Sequence, residues 1–90
     1  MFVETITSGR DEWEFFSQGT RLTSDPPSAL ILSVAWEAGE GRVSVLNVWD
    51  SADAISEFYV ERTQALIQER GEPADKPRRH GEPLEVYVRH

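Results

Sequence analysis

Two apolar segments joined by a short glycine-containing stretch restrict the fold of this chain more than any other feature of its sequence. Residues 29–36 read ALILSVAW and residues 42–49 read RVSVLNVW, and the intervening EAGEG contains two glycines. Segments of this length that are rich in aliphatic and aromatic residues are typical of β-strands, and glycine-containing loops join strands into hairpins. The two segments therefore predict an antiparallel hairpin.

Both faces of this hairpin are mostly apolar. The two alternating sets of side chains in the first strand are Leu30, Leu32, Val34 and Trp36 against Ala29, Ile31, Ser33 and Ala35. An antiparallel sheet with one face in water should instead alternate apolar and polar residues. We therefore expect helices on one face and a second copy of the chain on the other, packed sheet to sheet about a twofold axis.

The ends of the chain supply two further strands. Alternation and β-branched residues predict a strand over residues 2–7, and a short apolar alternation predicts another over residues 84–88. Residues 71–83, GEPADKPRRHGEP, are rich in glycine and proline, so they are predicted to form a loop.

Two helices complete the prediction. One covers residues 11–21, and the other covers residues 52–70, after an Asp50-Ser51 N-cap and before Gly71. The resulting order is strand, helix, strand, strand, helix, strand. This order predicts an α+β fold of the ferredoxin-like βαββαβ type, with a four-stranded antiparallel sheet in one domain over residues 1–90.

Composition excludes several classes of function. The chain has 90 residues, 9 basic and 16 acidic, with a net charge of −7, which opposes binding to nucleic-acid phosphates. It has no cysteine and two histidines, so disulfides and thiol catalysis are excluded and a metal site is not expected. No basic N-terminal region precedes an apolar stretch, and no apolar run approaches the ~18 residues of a membrane span. We expect a cytoplasmic protein without a nucleic-acid or membrane partner.

Residues 44–58, SVLNVWDSADAISEF, resemble the antibiotic-biosynthesis-monooxygenase-like family of dimeric α+β barrel proteins. Members of this family show an apolar strand that ends in Trp, an acidic residue and Ser, followed by a helix with an aromatic residue near its second turn. The resemblance also covers the opening and closing strands. It implies a homodimeric α+β barrel, and it implies a family in which cofactor-independent monooxygenases, haem-degrading enzymes and proteins without assigned activity share one fold.

The haem-degrading branch of that family does not fit this chain. The Trp and the axial His of that branch correspond to Phe58 and Gln68, and its Asn near the end of the first strand falls among residues 5–7, Thr-Ile-Thr. A glutamine cannot replace the imidazole that ligates haem iron. The expectation is therefore a protein without a cofactor.

Cofactor-free oxygenation requires an apolar cavity with a few polar groups that bind and deprotonate an electron-rich phenol. The candidate pocket residues are Asn47, Trp49, Trp36, Tyr59, Arg62 and His80. In this hypothesis Asn47 donates to a substrate oxygen, the two tryptophans form aromatic walls, and Tyr59 and Arg62 hold an anionic substrate. His80 would act as a general base carried by a mobile lid.

Each candidate also has a structural explanation. Buried amides usually bond to backbone or water, tryptophans are often core or interface anchors, and an arginine or a loop histidine can simply pair with nearby groups. Two functions therefore stay open. One is a monooxygenase acting on a small aromatic or polyketide-like substrate, and the other is a non-catalytic homodimer that binds a small apolar ligand or a protein. An empty, polar-lined cavity of roughly 300 Å³ or more would favour catalysis or ligand binding, and a filled core would favour an interaction protein.

Overall fold

Four strands form one antiparallel sheet in the computed structural model, which describes residues 1–87. The strands are β1 (Phe2–Gly9), β2 (Leu30–Gly39), β3 (Arg42–Trp49) and β4 (Arg78–Gly81). Their spatial order is β2-β3-β1-β4, so β1 and β3 lie at the centre and β2 and β4 at the edges. The predicted α+β class and the four-stranded antiparallel sheet are confirmed.

The hairpin between β2 and β3 closes through a tighter turn than expected. Gly39 pairs with Arg42, which leaves Glu40 and Gly41 as the two turn residues. Both have positive φ angles, 50° and 73°. These angles define a type I′ turn, whose twist matches that of the strands, so β2 continues three residues beyond its predicted end at residue 36.

The helices lie where the sequence placed them, with one interruption. α1 spans Arg10–Thr20, α2 spans Ala52–Phe58 and α3 spans Gln64–Arg70, and the five residues Tyr59–Thr63 between α2 and α3 form a π-helical segment. Ser51 caps α2, because its hydroxyl accepts a hydrogen bond from the Ala54 amide at 3.3 Å. Across residues 1–87, no helix is long and apolar enough to cross a membrane.

The predicted last strand is wrong over the residues that can be compared. Residues 84–87 form no strand, and Leu84 is fully exposed, while position 88 lies outside the described residues. The fourth strand is Arg78–Gly81 instead, inside the segment predicted as a loop, and it pairs with β1. An edge strand is held by backbone hydrogen bonds and does not require apolar side chains. The prolines on either side of β4, Pro77 and Pro83, lie outside the paired residues.

The apolar core occupies one end of the space between helices and sheet. Its buried members are Trp49, Ala54 and Ile55, and the side chains packed against them are Phe2, Leu22, Ala29, Leu30 and Phe58. Among residues 1–87, no helix covers the opposite sheet face. There Leu32, Val34 and Trp36 are 40%, 45% and 48% exposed.

The type I′ turn predicts that Glu40→Asn stabilises the protein. A non-glycine residue in the left-handed region is strained, and Asn tolerates that region better than Glu does. We expect the free energy of unfolding to rise by about 0.5 to 1 kcal/mol, measured by urea denaturation. Glu40→Gln removes the same charge without the conformational gain, so equal stability of the two variants would contradict this account.

Candidate functional site

A cavity of about 340 Å³ lies between the helices and the sheet, beside the apolar core. Its existence follows from side-chain size. Small residues on both layers, Ser8, Ser17, Thr20, Ser33, Ala35 and Thr63, line it and do not fill the space between them. Larger apolar residues form the rest of the wall, chiefly Ile6, Trp13, Phe16, Val45, Phe58 and Ile67. The cavity therefore has the apolar character of small-molecule sites.

A carboxylate and an amide from the two central strands meet in the cavity wall. Glu4 of β1 lies directly opposite Asn47 of β3 in the sheet register, and both line the cavity. The Glu4 Oε1 atom accepts hydrogen bonds from Asn47 Nδ2 at 3.1 Å and from Trp49 Nε1 at 2.9 Å. Glu4 is 8% exposed and Asn47 is 7% exposed. Both bonds end on one carboxylate oxygen, which leaves Oε2 for a further donor.

The Asn47 amide contributes a second acceptor. A carboxylate accepts hydrogen bonds only, so the contact with Glu4 requires the NH₂ group of Asn47 to point toward it. The amide oxygen Oδ1 is buried and accepts no hydrogen bond from residues 1–87. An unsatisfied buried acceptor costs about 1 to 3 kcal/mol. Because Oδ1 has no accessible surface, the accepting atom that the pair leaves available is Oε2 of Glu4.

The charge of the cavity wall has one sign. Two glutamates, Glu4 and Glu12, line it, and within the described chain none of its lining residues is Lys, Arg or His. Glu12 also accepts a hydrogen bond from the backbone amide of Ala74 at 3.2 Å. The wall is therefore rich in acceptors and offers no cationic donor to an anion.

The segment 71–77 covers part of the cavity. Pro73 and Pro77 belong to its lining. The segment is held to α1 by the Glu12 contact and to β3 by an ion pair of 3.0 Å between Arg42 and Asp75. The half-exposed ion pair and the hydrogen bond from the Ala74 amide to the Glu12 carboxylate anchor the middle of the segment, and the Gly71 amide bonds to the Ile67 carbonyl at 2.7 Å where the segment leaves α3.

The six candidate residues from the sequence do not converge on one place. Asn47 and Tyr59 line the cavity. Trp49 lies behind it in the core, 1% exposed, and acts on the site through its hydrogen bond to Glu4. Trp36 is 48% exposed on the edge strand β2 and borders a smaller groove of about 130 Å³ between α1 and the sheet.

Arg62 does not line the cavity, because its guanidinium group is bound to backbone oxygens. Its Nη1 atom donates to the carbonyl of Thr20 at 3.1 Å and to that of Asp25 at 2.6 Å. The guanidinium also lies 5.6 Å from the ring centroid of Phe58. These contacts connect the end of α1 and the following loop to the π-helical segment. Arg62 therefore pairs with nearby groups of the protein, which was the alternative to binding a substrate.

His80 also lies away from the cavity. It belongs to β4, and its Nε2 atom is 2.6 Å from the hydroxyl of Thr5 on β1.

Glu4 was not among the candidates from the sequence. Its signal was an acidic residue between Phe2 and Ile6 on the apolar side of β1, but only the strand register shows that it meets Asn47.

No protein-family model matches this chain, and no curated protein shows significant similarity to it. Within residues 1–87, no group of three or more His, Asp or Glu side chains is arranged to hold a metal ion. The cavity with its buried Glu4 carboxylate is the feature of the described residues that resembles a small-molecule site.

The contacts of Arg62 predict that Arg62→Met destabilises the fold. The variant keeps much of the apolar stem and loses both hydrogen bonds, which should lower the free energy of unfolding by about 1.5 to 3 kcal/mol. Lys76→Met is the matched control, because Lys76 makes an exposed ion pair with Glu72 at 3.6 Å. Thermal denaturation followed by circular dichroism measures both, and equal midpoints would refute the structural role of Arg62.

Proposed function

We propose that this protein binds a small, largely apolar molecule that carries a hydrogen-bond donor. The observation that carries the proposal is the Glu4 carboxylate in the cavity wall, which Asn47 and Trp49 bond through Oε1 only, among apolar side chains. A donor on the ligand would bond to Oε2, and its apolar body would contact Trp13, Phe16 and Ile67. This division of roles is usual in small-molecule sites.

The volume of the cavity supports a ligand of one or two rings. Small-molecule sites occupy roughly 300 to 1,000 Å³, and a cavity of about 340 Å³ lies at the lower end of that range. A chain that served only as an interaction protein would gain stability by filling this space, because unfilled volume forfeits dispersion contacts. The cavity therefore favours ligand binding over the purely structural alternative.

Cofactor-independent oxygenation is the second candidate, favoured by the carboxylate in the apolar wall. A phenol bound near Glu4 would lie within reach of a general base, and the apolar surroundings would keep bulk water from the electron-rich anion that meets dioxygen. The resemblance of residues 44–58 to the monooxygenase-like family supports the same reaction. In this hypothesis Glu4 takes the role of base that the sequence assigned to His80.

The proposed assembly is a homodimeric α+β barrel with a ferredoxin-like core. The strand order β2-β3-β1-β4 is that of ferredoxin-like domains. The exposed apolar side chains of β2, namely Leu32, Val34 and Trp36, support a second copy as the cover of the open sheet face. A small acidic domain would gain both burial and solubility from this pairing.

Filling the cavity should abolish ligand binding. Ser33 lines the cavity from strand β2, and Ser33→Phe places a ring there in a residue type that strands favour. We expect 1-naphthol, titrated by its fluorescence, to bind the wild-type protein and to lose at least about tenfold in affinity with Ser33→Phe. Gln18→Phe adds the same ring on the exposed side of α1 and serves as the control.

The titration has two informative outcomes beyond binding itself. Undiminished binding to Ser33→Phe would show that the ligand occupies another surface. Consumption of dioxygen with the bound naphthol, lost in Glu4→Gln, would assign the oxygenase function, whereas stable binding in air would assign a binding protein.

A charge on the open sheet face should separate the proposed dimer. Val34→Glu buries a carboxylate in the interface and brings it near its symmetry mate, so we expect a monomer by multi-angle light scattering at micromolar concentration. Val60→Glu is the matched control, because Val60 is 63% exposed on the π-helical segment. A wild-type protein that is already monomeric would refute the dimer.

A further inference from the structure

We propose that the cavity selects a ligand whose donor is a cationic amine, on an aromatic or alkyl body. This inference rests on the proposed binding function and adds the charge of the headgroup to it. Glu4 provides the first argument. Its carboxylate is 8% exposed, and its partners are two neutral donors, the amide of Asn47 and the indole of Trp49.

A buried carboxylate is normally compensated by a cation. Among residues 1–87, no Lys, Arg or His forms an ion pair with Glu4, whereas six ion pairs occur elsewhere on the surface. Burying a charge without a counter-charge is costly unless a partner is supplied. An ammonium group in the cavity would supply that partner.

The free oxygen of the Glu4 carboxylate suits an amine. Glu4 Oε1 already accepts from Asn47 and Trp49, and Oε2 accepts no hydrogen bond from the described residues, whereas a primary ammonium carries three N–H donors and a positive charge. An alcohol can donate one hydrogen bond to Oε2 but brings no charge. A carboxylate or phosphate carries acceptors at pH 7 and would face the glutamate with like charge.

The aromatic residues of the wall favour the same headgroup. Trp13, Phe16, Phe58 and Tyr59 line the cavity, and the faces of aromatic rings attract cations. Arg62 is bound to the carbonyls of Thr20 and Asp25, and Arg79, which pairs with Glu4 in the sheet, donates to the Ser56 hydroxyl at 3.4 Å. Among the described residues, the cavity wall itself carries no cationic side chain that would attract an anion.

Three probes of nearly equal size separate the charge of the headgroup from the apolar body. These are 1-naphthylmethylamine, 1-naphthalenemethanol and 1-naphthoate, titrated into the protein at pH 7 by calorimetry. We expect the amine to bind about tenfold or more tightly than the alcohol, since bonds to charged groups are the stronger ones. Binding of the naphthoate should be the weakest of the three.

Two variants locate the preference. Glu4→Gln keeps an acceptor for Asn47 and Trp49 but loses the charge, so the amine should fall to the affinity of the alcohol. Glu57→Gln removes the same charge from an exposed position on α2 and should leave the preference unchanged. If Glu4→Gln does not fold, the wild-type preference is measured at about 1 M salt, where exposed charges are screened within about 3 Å and a buried pair is not.

The outcomes distinguish this inference from the proposed function. Binding of the alcohol as tight as that of the amine, or tighter binding of the naphthoate, would overturn the amine inference and leave the binding function standing. If the preference for the amine disappears in Glu57→Gln or at high salt, its cause is the net charge of −7. That result would also overturn the inference. Failure of all three probes to bind would overturn the proposed function itself.

Discussion

The pairing of β1 with β3 is the constraint on which the rest of the site depends. It sets Glu4 opposite Asn47 and Phe2 opposite Trp49, on the sheet face that the helices cover. Side chains alternate between faces, so a slip of one residue would send Glu4 to the other face. Its two hydrogen bonds to β3 would then be lost. The same register that joins the central strands therefore also brings Glu4 and Asn47 together in the cavity wall.

The division of the interior into a core and a cavity follows from which side chains are large. Trp49, with its ring centroid 5.3 Å from that of Phe58, fills one end of the space between the layers. At the other end, the short side chains of Ser8, Ser33 and Thr63 do not fill the space between the helices and the sheet. The chain thus gives up dispersion contacts and keeps a buried carboxylate, two features that reduce stability and that proteins usually retain where they bind ligands.

The elements with strong local signals could be predicted from the sequence. The β2–β3 hairpin consists of two apolar segments around a glycine-containing turn, and the helical stretch 52–70 has apolar periodicity with Ser51 and Gly71 marking its ends. Strand β4 could not, because RRHG carries no apolar alternation and is fixed by pairing with β1, which is distant in sequence. The candidate site also depends on a pairing of strands that are distant in sequence, β1 and β3. Asn47 stood out as a polar residue among apolar neighbours, but its partner Glu4 is identified only by the register.

The π-helical segment explains why Tyr59 and Arg62, which the sequence predicted to share one helix face, lie on different sides of the helix. In an α-helix, residues at i and i+3 share a face, which placed Tyr59 with Arg62. The wider π turn shifts that relation toward i+4, and here Tyr59 and Thr63 line the cavity together while Arg62 turns to the loop after α1. A widened turn has no simple sequence signal. The prediction therefore applied α-helical spacing to residues that form a π-helical turn.

The open sheet face is uneven, and this restricts how a second copy would pack on it. Its β2 side carries Leu32, Val34 and Trp36. Its β1 side carries polar pairs, with the Thr7 and Ser44 hydroxyls 2.7 Å apart and Thr5 bonded to His80. Burying the hydroxyl pairs would gain little, because they are already bonded to each other, whereas burying the apolar strip removes it from water. A twofold axis would therefore lie nearer to the β2–β3 hairpin than to the middle of the sheet, and the β1–β4 edge with His80 would stay at the rim of the interface.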